Sequence, residues 1–257
     1  MEYLVICTAA IITSGLTLFS GFGLGTLLMP AFAVFFPVNV AVALTAIVHF
    51  LNNLFKLFLL GKQAHVQTVL RFGIPAILAA MLGAGVLTLL SDLRPLFIYE
   101  LAGREMAVTP LNFVIALLMV LFALFDVIPA LEHLQFDRKF LALGGALSGF
   151  FGGLSGHQGA LRAAFLIRCG LSKQSYIATG IVIACLVDMT RLSVYATHFT
   201  RAGLHEHLPL LMAATAAAFL GAFIGSRLVT KVTLRTVQVI VSVLLLAIAV
   251  ALGSGLI

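Results

Sequence analysis

The chain has 257 residues, 62% of them hydrophobic and only 9% charged, with a mean hydropathy of +1.18. Soluble domains are about half apolar, so this composition excludes an ordinary soluble enzyme or nucleic-acid binder and gives an all-α polytopic membrane protein. The formal charge of +6 sits mainly in short connections, and no polar stretch is long enough for a soluble domain.

Taken in order, apolar runs cover residues 3–36, 38–60, 72–90, 111–131, 139–170, 174–196, 208–226 and 236–253. Most match the roughly 17 to 25 residues of a spanning helix. The first and fifth are far longer, and each contains a glycine break. In the first, Ser20, Gly21, Phe22, Gly23, Leu24 and Gly25 separate limbs 3–20 and 26–36; in the fifth, the break runs from Gly152 through Ser155, Gly156, His157 and Gln158 to Gly159. Glycine in a helix interior costs about 1 kcal/mol against alanine. Each long run is therefore predicted to be two short helices meeting at a polar backbone loop, which lipid tolerates only where protein or a wet cavity surrounds it. Between the third and fourth runs, Leu96 to Leu101 and Glu105 to Thr109 flank Ala102 and Gly103 as a short β-hairpin, an external flap. Glu2 and no Lys or Arg stands before the first run, so no cleavable signal peptide is expected.

The halves repeat. Gly25 and Gly159, Thr45 and Thr179, and Pro75 and Pro209 are each separated by 134 residues (159 − 25, 179 − 45, 209 − 75), the prolines being read as helix openers. Leu82, Gly83, Ala84 and Leu220, Gly221, Ala222 follow at 138. This gives a first repeat over residues 1–131 and a second over 132–257. Each is a broken hairpin plus three spanning helices, together forming one transport domain.

The distribution of Lys and Arg distinguishes single passes from re-entrant hairpins. Re-entrant hairpins collect Lys62, Arg71, Arg138, Lys139, Arg168, Lys173, Arg227, Lys231 and Arg235 on one side against Arg94, Arg104 and Arg201 on the other; single passes give no comparable bias. The expectation is two inverted repeats in the membrane, with both termini outside and both tips at the midplane.

Three cations, Lys56, Arg162 and Arg191, fall inside apolar runs, while Asp188 is the single deep acid and Asp126 lies near a helix end. Intramembrane charges cost at least about 2.5 to 3.5 kcal/mol and default to functional positions. The surplus of positive charge suits an anion. Arg162 follows the second break by one turn, where its guanidinium presents a bidentate fork to a carboxylate or sulfonate. The limb beginning at Gly159 offers N-terminal amides, with Ser155, His157 and Gln158 as side-chain donors. The tip of Ser20, Gly21, Gly23 and Gly25 matches it from the first half. His49, Asn52, Asn53 and Lys56 share one helix flank. Other readings stay open: close packing through small residues at the tips, snorkelling of Lys56, and mutual neutralisation of Asp188 and Arg191 three residues apart. Asp188, His49 and His157 are candidate carriers of coupling protons, with sodium the other coupling ion open to the chain.

Other chemistry is weakly supported. Cys7, Cys169 and Cys185 lack metal-ligand spacing, and His198, His205, Glu206 and His207 read as a solvated connection. Gly153, Leu154, Ser155, Gly156 matches the G-x-S-G of rhomboid intramembrane proteases, whose serine needs a histidine base. His157 is expected to lie too near in sequence to face Ser155, leaving His49. A passive anion channel is the third reading.

The glycines Gly21, Gly23 and Gly25 with Pro30, then Gly149, Gly152, Gly153, Gly156 and Gly159, then Thr179, Gly221 and Gly225, resemble the sulfite exporter TauE/SafE family, also called toluene-sulfonate uptake permeases. The likeness covers nearly the whole chain. It implies a bacterial inner-membrane secondary transporter, not an enzyme, that moves sulfite, sulfoacetate, sulfolactate or related organic anions without ATP. No cofactor or nucleic-acid partner is expected; the partners are the anion, the coupling ion and the bilayer, and a homodimer is compatible.

Overall fold

A computed structural model describes residues 1–20, 23–60, 63–101, 103–128, 135–199, 204–228 and 234–257. Ten α-helices and one β-hairpin are found among them. The first broken run becomes α1 (Glu2–Ser20) and α2 (Gly25–Ala33), followed by α3 (Val38–Leu60) and α4 (Val66–Ser91). Strands β1 (Phe97–Leu101) and β2 (Arg104–Val108) precede α5 (Pro110–Val127). The second broken run becomes α6 (Leu141–Ser155) and α7 (Gly159–Leu166), followed by α8 (Lys173–Phe199), α9 (Leu208–Leu228) and α10 (Leu234–Gly253). Four of these, α3, α4, α8 and α9, are long and apolar enough to cross a membrane by themselves.

Local chemistry sets the boundaries. Thr109 caps α5 by accepting from the Asn112 amide at 3.1 Å, and Pro110 supplies the fixed φ of a first helical position. Helix α4 starts earlier than its apolar run because His65 Nδ1 accepts from the Thr68 amide at 3.3 Å. Pro75 consequently lies inside α4 instead of opening it, whereas Pro209 is the second residue of α9. The strands pair antiparallel, from Phe97 opposite Val108 to Leu101 opposite Arg104, with Gly103 at φ +76° in the turn; Ala102 lies outside the described residues.

Contacts at the ends show that the second broken run turns back. Arg138 Nη2 donates to Gln67 Oε1 at 3.2 Å and Arg168 Nη1 to Asp137 Oδ1 at 3.2 Å, so the start of α4, the start of α6 and the end of α7 share one basic face. Phe165 of α7 stacks on Phe136 at 4.3 Å and packs against Gly144, as a reversal between α6 and α7 requires. On the other face, Phe36, Val38, Leu90, Thr109 and Ile257 surround one cavity, and the Phe36 ring meets His207 at 4.9 Å. The hairpin lies there too, since the Tyr99 hydroxyl donates to Ser254 O at 2.5 Å. Of the cations used to orient the chain, Lys62, Arg201, Lys231 and the side chains of Arg227 and Arg235 lie outside the described residues, as do the side chains of Asp126, His198 and His205.

Small residues hold the helices together. Gly145, Gly149 and Gly153 on α6 lie against the carbonyls of Phe72, Ala76 and Ala80 on α4, and Gly83 of α4 lies against Phe150 O. Gly221 and Gly225 of α9 lie against the carbonyls of Ile11 and Gly15 on α1 in the same manner. Backbones this close leave no room for a Cβ, which is how van der Waals packing drives association without a hydrophobic force between helices. The two crossings frame α3 and α8, which pack against each other through the centre.

Candidate functional site

The two breaks meet at that centre. A Cβ on Gly25 would stand 3.1 Å from Gly156 O and 3.7 Å from Thr45 Cγ2, so the start of α2 and the end of α6 touch. Thr26 closes the first break on itself, its Oγ1 donating to Gly23 O at 2.8 Å. Gly21 and the side chain of Ser20 lie outside the described residues. The second break reverses direction at Gly156, whose φ of +82° is a left-handed conformation that glycine adopts without penalty. Gln158 then starts α7: its carbonyl accepts from Ser148 Oγ at 3.0 Å and from the Arg162 amide at 3.1 Å. No side chain caps α7.

Asp188 on α8 is fully buried and collects side chains from three elements. Arg191, one turn further along α8 and equally buried, donates to Asp188 Oδ1 from Nε at 3.0 Å and from Nη2 at 2.8 Å. His49 Nδ1 on α3 lies 2.5 Å from Oδ2, and Asn53 Nδ2 donates to Oδ2 at 3.4 Å. Gln158 Nε2 reaches Oδ1 at 3.3 Å while its Oε1 accepts from Arg162 Nη1 at 3.1 Å. Arg162 thus joins the cluster through the Gln158 amide, as a neighbouring charge.

Lys56 completes the set. At 4% exposure it is buried rather than snorkelling. With the Asn52 amide oriented to satisfy both of its ends, Asn52 Oδ1 accepts from Lys56 Nζ at 3.2 Å and Nδ2 donates to Ala218 O at 3.3 Å; Ser14 Oγ stands 3.1 Å away. Among the described residues, the buried interior therefore holds Lys56, Arg162 and Arg191 against the single carboxylate of Asp188. Isolated buried charges are strongly disfavoured. Asp188 is in direct ion-pair contact with Arg191, and among the described residues no carboxylate contacts Lys56 or Arg162.

Unused hydrogen-bonding capacity lies at the same tip. Arg191 Nη1 is buried without a hydrogen-bond partner and stands 3.0 Å from where a Gly156 Cβ would be. His157 Nε2 is likewise buried and unpaired, its ring stacked on Phe122 with centroids 5.3 Å apart. Contrary to the expectation that the two are too close in sequence to face each other, His157 Nδ1 lies 3.1 Å from Ser155 Oγ, because the turn at Gly156 folds one back over the other. The serine hydroxyl donates to Phe151 O at 3.0 Å, so its hydrogen points away from the histidine. That is the reverse of a nucleophile held by its base. His49, the other candidate base, is engaged with Asp188.

The sequence reading missed several supporting groups. The Tyr195 hydroxyl donates to Gly153 O, tying α8 to the tip. Ser14 and Ser148 support Asn52 and Gln158, and Phe122 supports His157. Tyr195 follows Arg191 by four residues and Asp188 by seven, a one-face spacing that was open to inspection. Thr179, which shares the 134-residue offset with Thr45, accepts from the His65 amide at 2.9 Å, away from the cluster. No group of metal-binding side chains occurs among the described residues.

Comparison with known proteins adds one finding. The profile of a family described as sulfite exporter TauE/SafE matches residues 6–252, nearly the whole chain. No curated protein matches it, and no solved structure does.

Proposed function

Because the chain belongs to the sulfite exporter TauE/SafE family, and is therefore a multi-pass membrane transporter, we propose that it is a secondary transporter of small sulfur-containing or organic anions such as sulfite or sulfonates. The site we propose is the meeting point of the two glycine breaks in a bacterial inner membrane. The observation that carries this reading is the buried excess of cations, Lys56, Arg162 and Arg191 against Asp188, beside an uncapped helix start and an unpaired Arg191 Nη1. A desolvated oxyanion is stabilised by guanidinium groups and by helix amino ends. Ser155, His157, Gln158, Gly159 and Asn53 line the same tip, and Gly23 and Gly25 bring the opposite tip to it.

The inverted-repeat reading has packing in its favour. Helices α1 and α9 run parallel through Ile11, Gly15, Gly221 and Gly225, as α4 and α6 do through Phe72, Ala76, Gly145 and Gly149. Residues 1–131 and 132–257 thus exchange equivalent helices, and one hairpin enters from the basic face and the other from the flap face. The Lys and Arg bias makes the basic face cytoplasmic and places both termini outside.

The test is flux in proteoliposomes across sulfite, sulfoacetate, taurine and simple carboxylates, with and without a pH gradient. Arg162→Ala is expected to abolish transport, at least a hundredfold on the scale of a lost buried charge-assisted contact of about 3 kcal/mol, while the protein keeps its elution profile and helicity. Unaltered flux in Arg162→Ala refutes the site.

A further inference from the structure

We infer that Asp188 is a resident counter-anion which takes up one proton when the transported anion enters, and that His49 hands it that proton. This rests on the anion site proposed above and specifies how that site is coupled.

The argument starts from Arg191. Its Nε and Nη2 are spent on Asp188 Oδ1, and only Nη1 faces the tip unpaired. An oxyanion that takes Nη1 is drawn to the same planar guanidinium as the carboxylate. In a site closed to water, two like charges sharing one cation raise each other's proton affinity. Of the two, Asp188 is the one with a proton donor against it: His49 Nδ1 stands 2.5 Å from Oδ2.

In the step proposed, the N–H bond at His49 Nδ1 breaks and an O–H bond forms at Asp188 Oδ2. The imidazole takes the replacement proton at Nε2 before or as the Nδ1 proton leaves, so the ring passes through imidazolium and ends neutral. That nitrogen faces the other break, lying 3.5 Å from where a Gly23 Cβ would be, and it also meets Asn53 Nδ2 at 3.3 Å. His49 therefore touches the second half with one ring nitrogen and the first break with the other. The net change is one proton and one anion taken from water, and for a singly charged anion the buried charge stays as it was.

Among the described residues, no second carboxylate is buried beside the cluster. Lys56 on α3, Arg162 on α7 and His157 at the tip face the cluster, as do Cys185 and Tyr195 on α8. Helix α4 brings only Thr68 among its buried polar residues, and α9 carries no titratable residue before Arg227.

The sign follows from linkage: the anion-bound state holds one more proton than the empty state, so affinity falls as pH rises, by up to about tenfold per pH unit. The probes are methanesulfonate and sulfoacetate, whose sulfonate charge is fixed, titrated onto the full-length protein in nanodiscs from about pH 5.5 to 8.5, a span that brackets histidine. In wild type, Kd is expected to rise toward tenfold per unit, and an anion gradient in proteoliposomes is expected to carry protons with it. In Asp188→Asn the pH dependence of Kd disappears; in His49→Gln it persists while proton-linked flux slows. Binding that is equal at all pH values in wild type overturns the proton step and leaves the anion site standing. No binding of either probe removes the site and this inference together. If Asp188→Asn does not fold, the wild-type pH series decides alone.

Discussion

Lys56 shows how much a single side chain decides in this interior. It is 4% exposed, and its ammonium has the Asn52 amide oxygen at 3.2 Å, a neutral partner. A cation with no counter-charge in contact is costly unless something else supplies one. Replacing it by methionine keeps the length and removes the charge. Lys56→Met is expected to weaken anion binding about ten- to a hundredfold, the worth of one charge-assisted contact of roughly 1.5 to 3 kcal/mol. The thermal midpoint should hold or rise, because a desolvated charge has been removed. Unchanged uptake kinetics in Lys56→Met makes the lysine a partner of Asn52 and nothing more.

These residues are legible in the sequence because each is a charge inside an apolar run. Lys56, Arg162, Arg191 and Asp188 are found that way. Their partners are not, since His49 and Asp188 are 139 residues apart and no local pattern pairs them. The contact of Ser155 with His157 was misjudged for a related reason. Residues two apart on a continuous helix point to different sides, but the helix ends at Ser155 and the left-handed turn at Gly156 folds His157 back over it.

At the scale of elements, the glycines divide into those that permit a crossing and those that do not matter. Gly149 on α6 leaves no room for a Cβ against Ala76 of α4, whereas a Cβ on Gly85 meets nothing within 4 Å. Overpacking a tight contact costs about 1 to 3 kcal/mol, while alanine gains up to about 1 kcal/mol over glycine in a free helical position. Gly149→Ala is expected to lower the unfolding midpoint in detergent, and Gly85→Ala to leave it unchanged or raise it. Equal midpoints contradict the α4 and α6 crossing. Sequence read most element boundaries to within a few residues, since length and hydropathy govern them. It missed the early start of α4, where the capping histidine precedes the apolar run and carries no hydropathy signal, and so misplaced Pro75.

For the molecule as a whole, the two faces are chemically distinct. Arg138, Arg168 and Asp137 mark one, and β1, β2 and Ser254 mark the other. Helix α5, of 18 residues, starts at the second of these faces, where Leu111 and Asn112 line the cavity beside Ile257. Single cysteines at Arg104 and Arg138, both exposed, are expected to react with an impermeant maleimide from opposite sides of sealed cells, with Arg104→Cys labelled from outside and Arg138→Cys only after lysis. Labelling of both from one side removes the topology proposed here. The order of elements was legible because each glycine break coincides with a run too long for one crossing. The packing of α1 on α9 and of α4 on α6 was not, since close glycine contacts become visible only when the chain is folded.

The central cluster is not mirrored. At an offset of 134, Arg162, Asp188 and Arg191 correspond to Leu28, Leu54 and Leu57, and His49 and Lys56 to Ile183 and Thr190. Whatever ancestry the halves share, the buried ion pairs among the described residues form one cluster. The proposed site therefore takes one solute at a time: uptake is expected to saturate along a simple hyperbola with a Hill coefficient of about 1, and competing solutes to exclude each other.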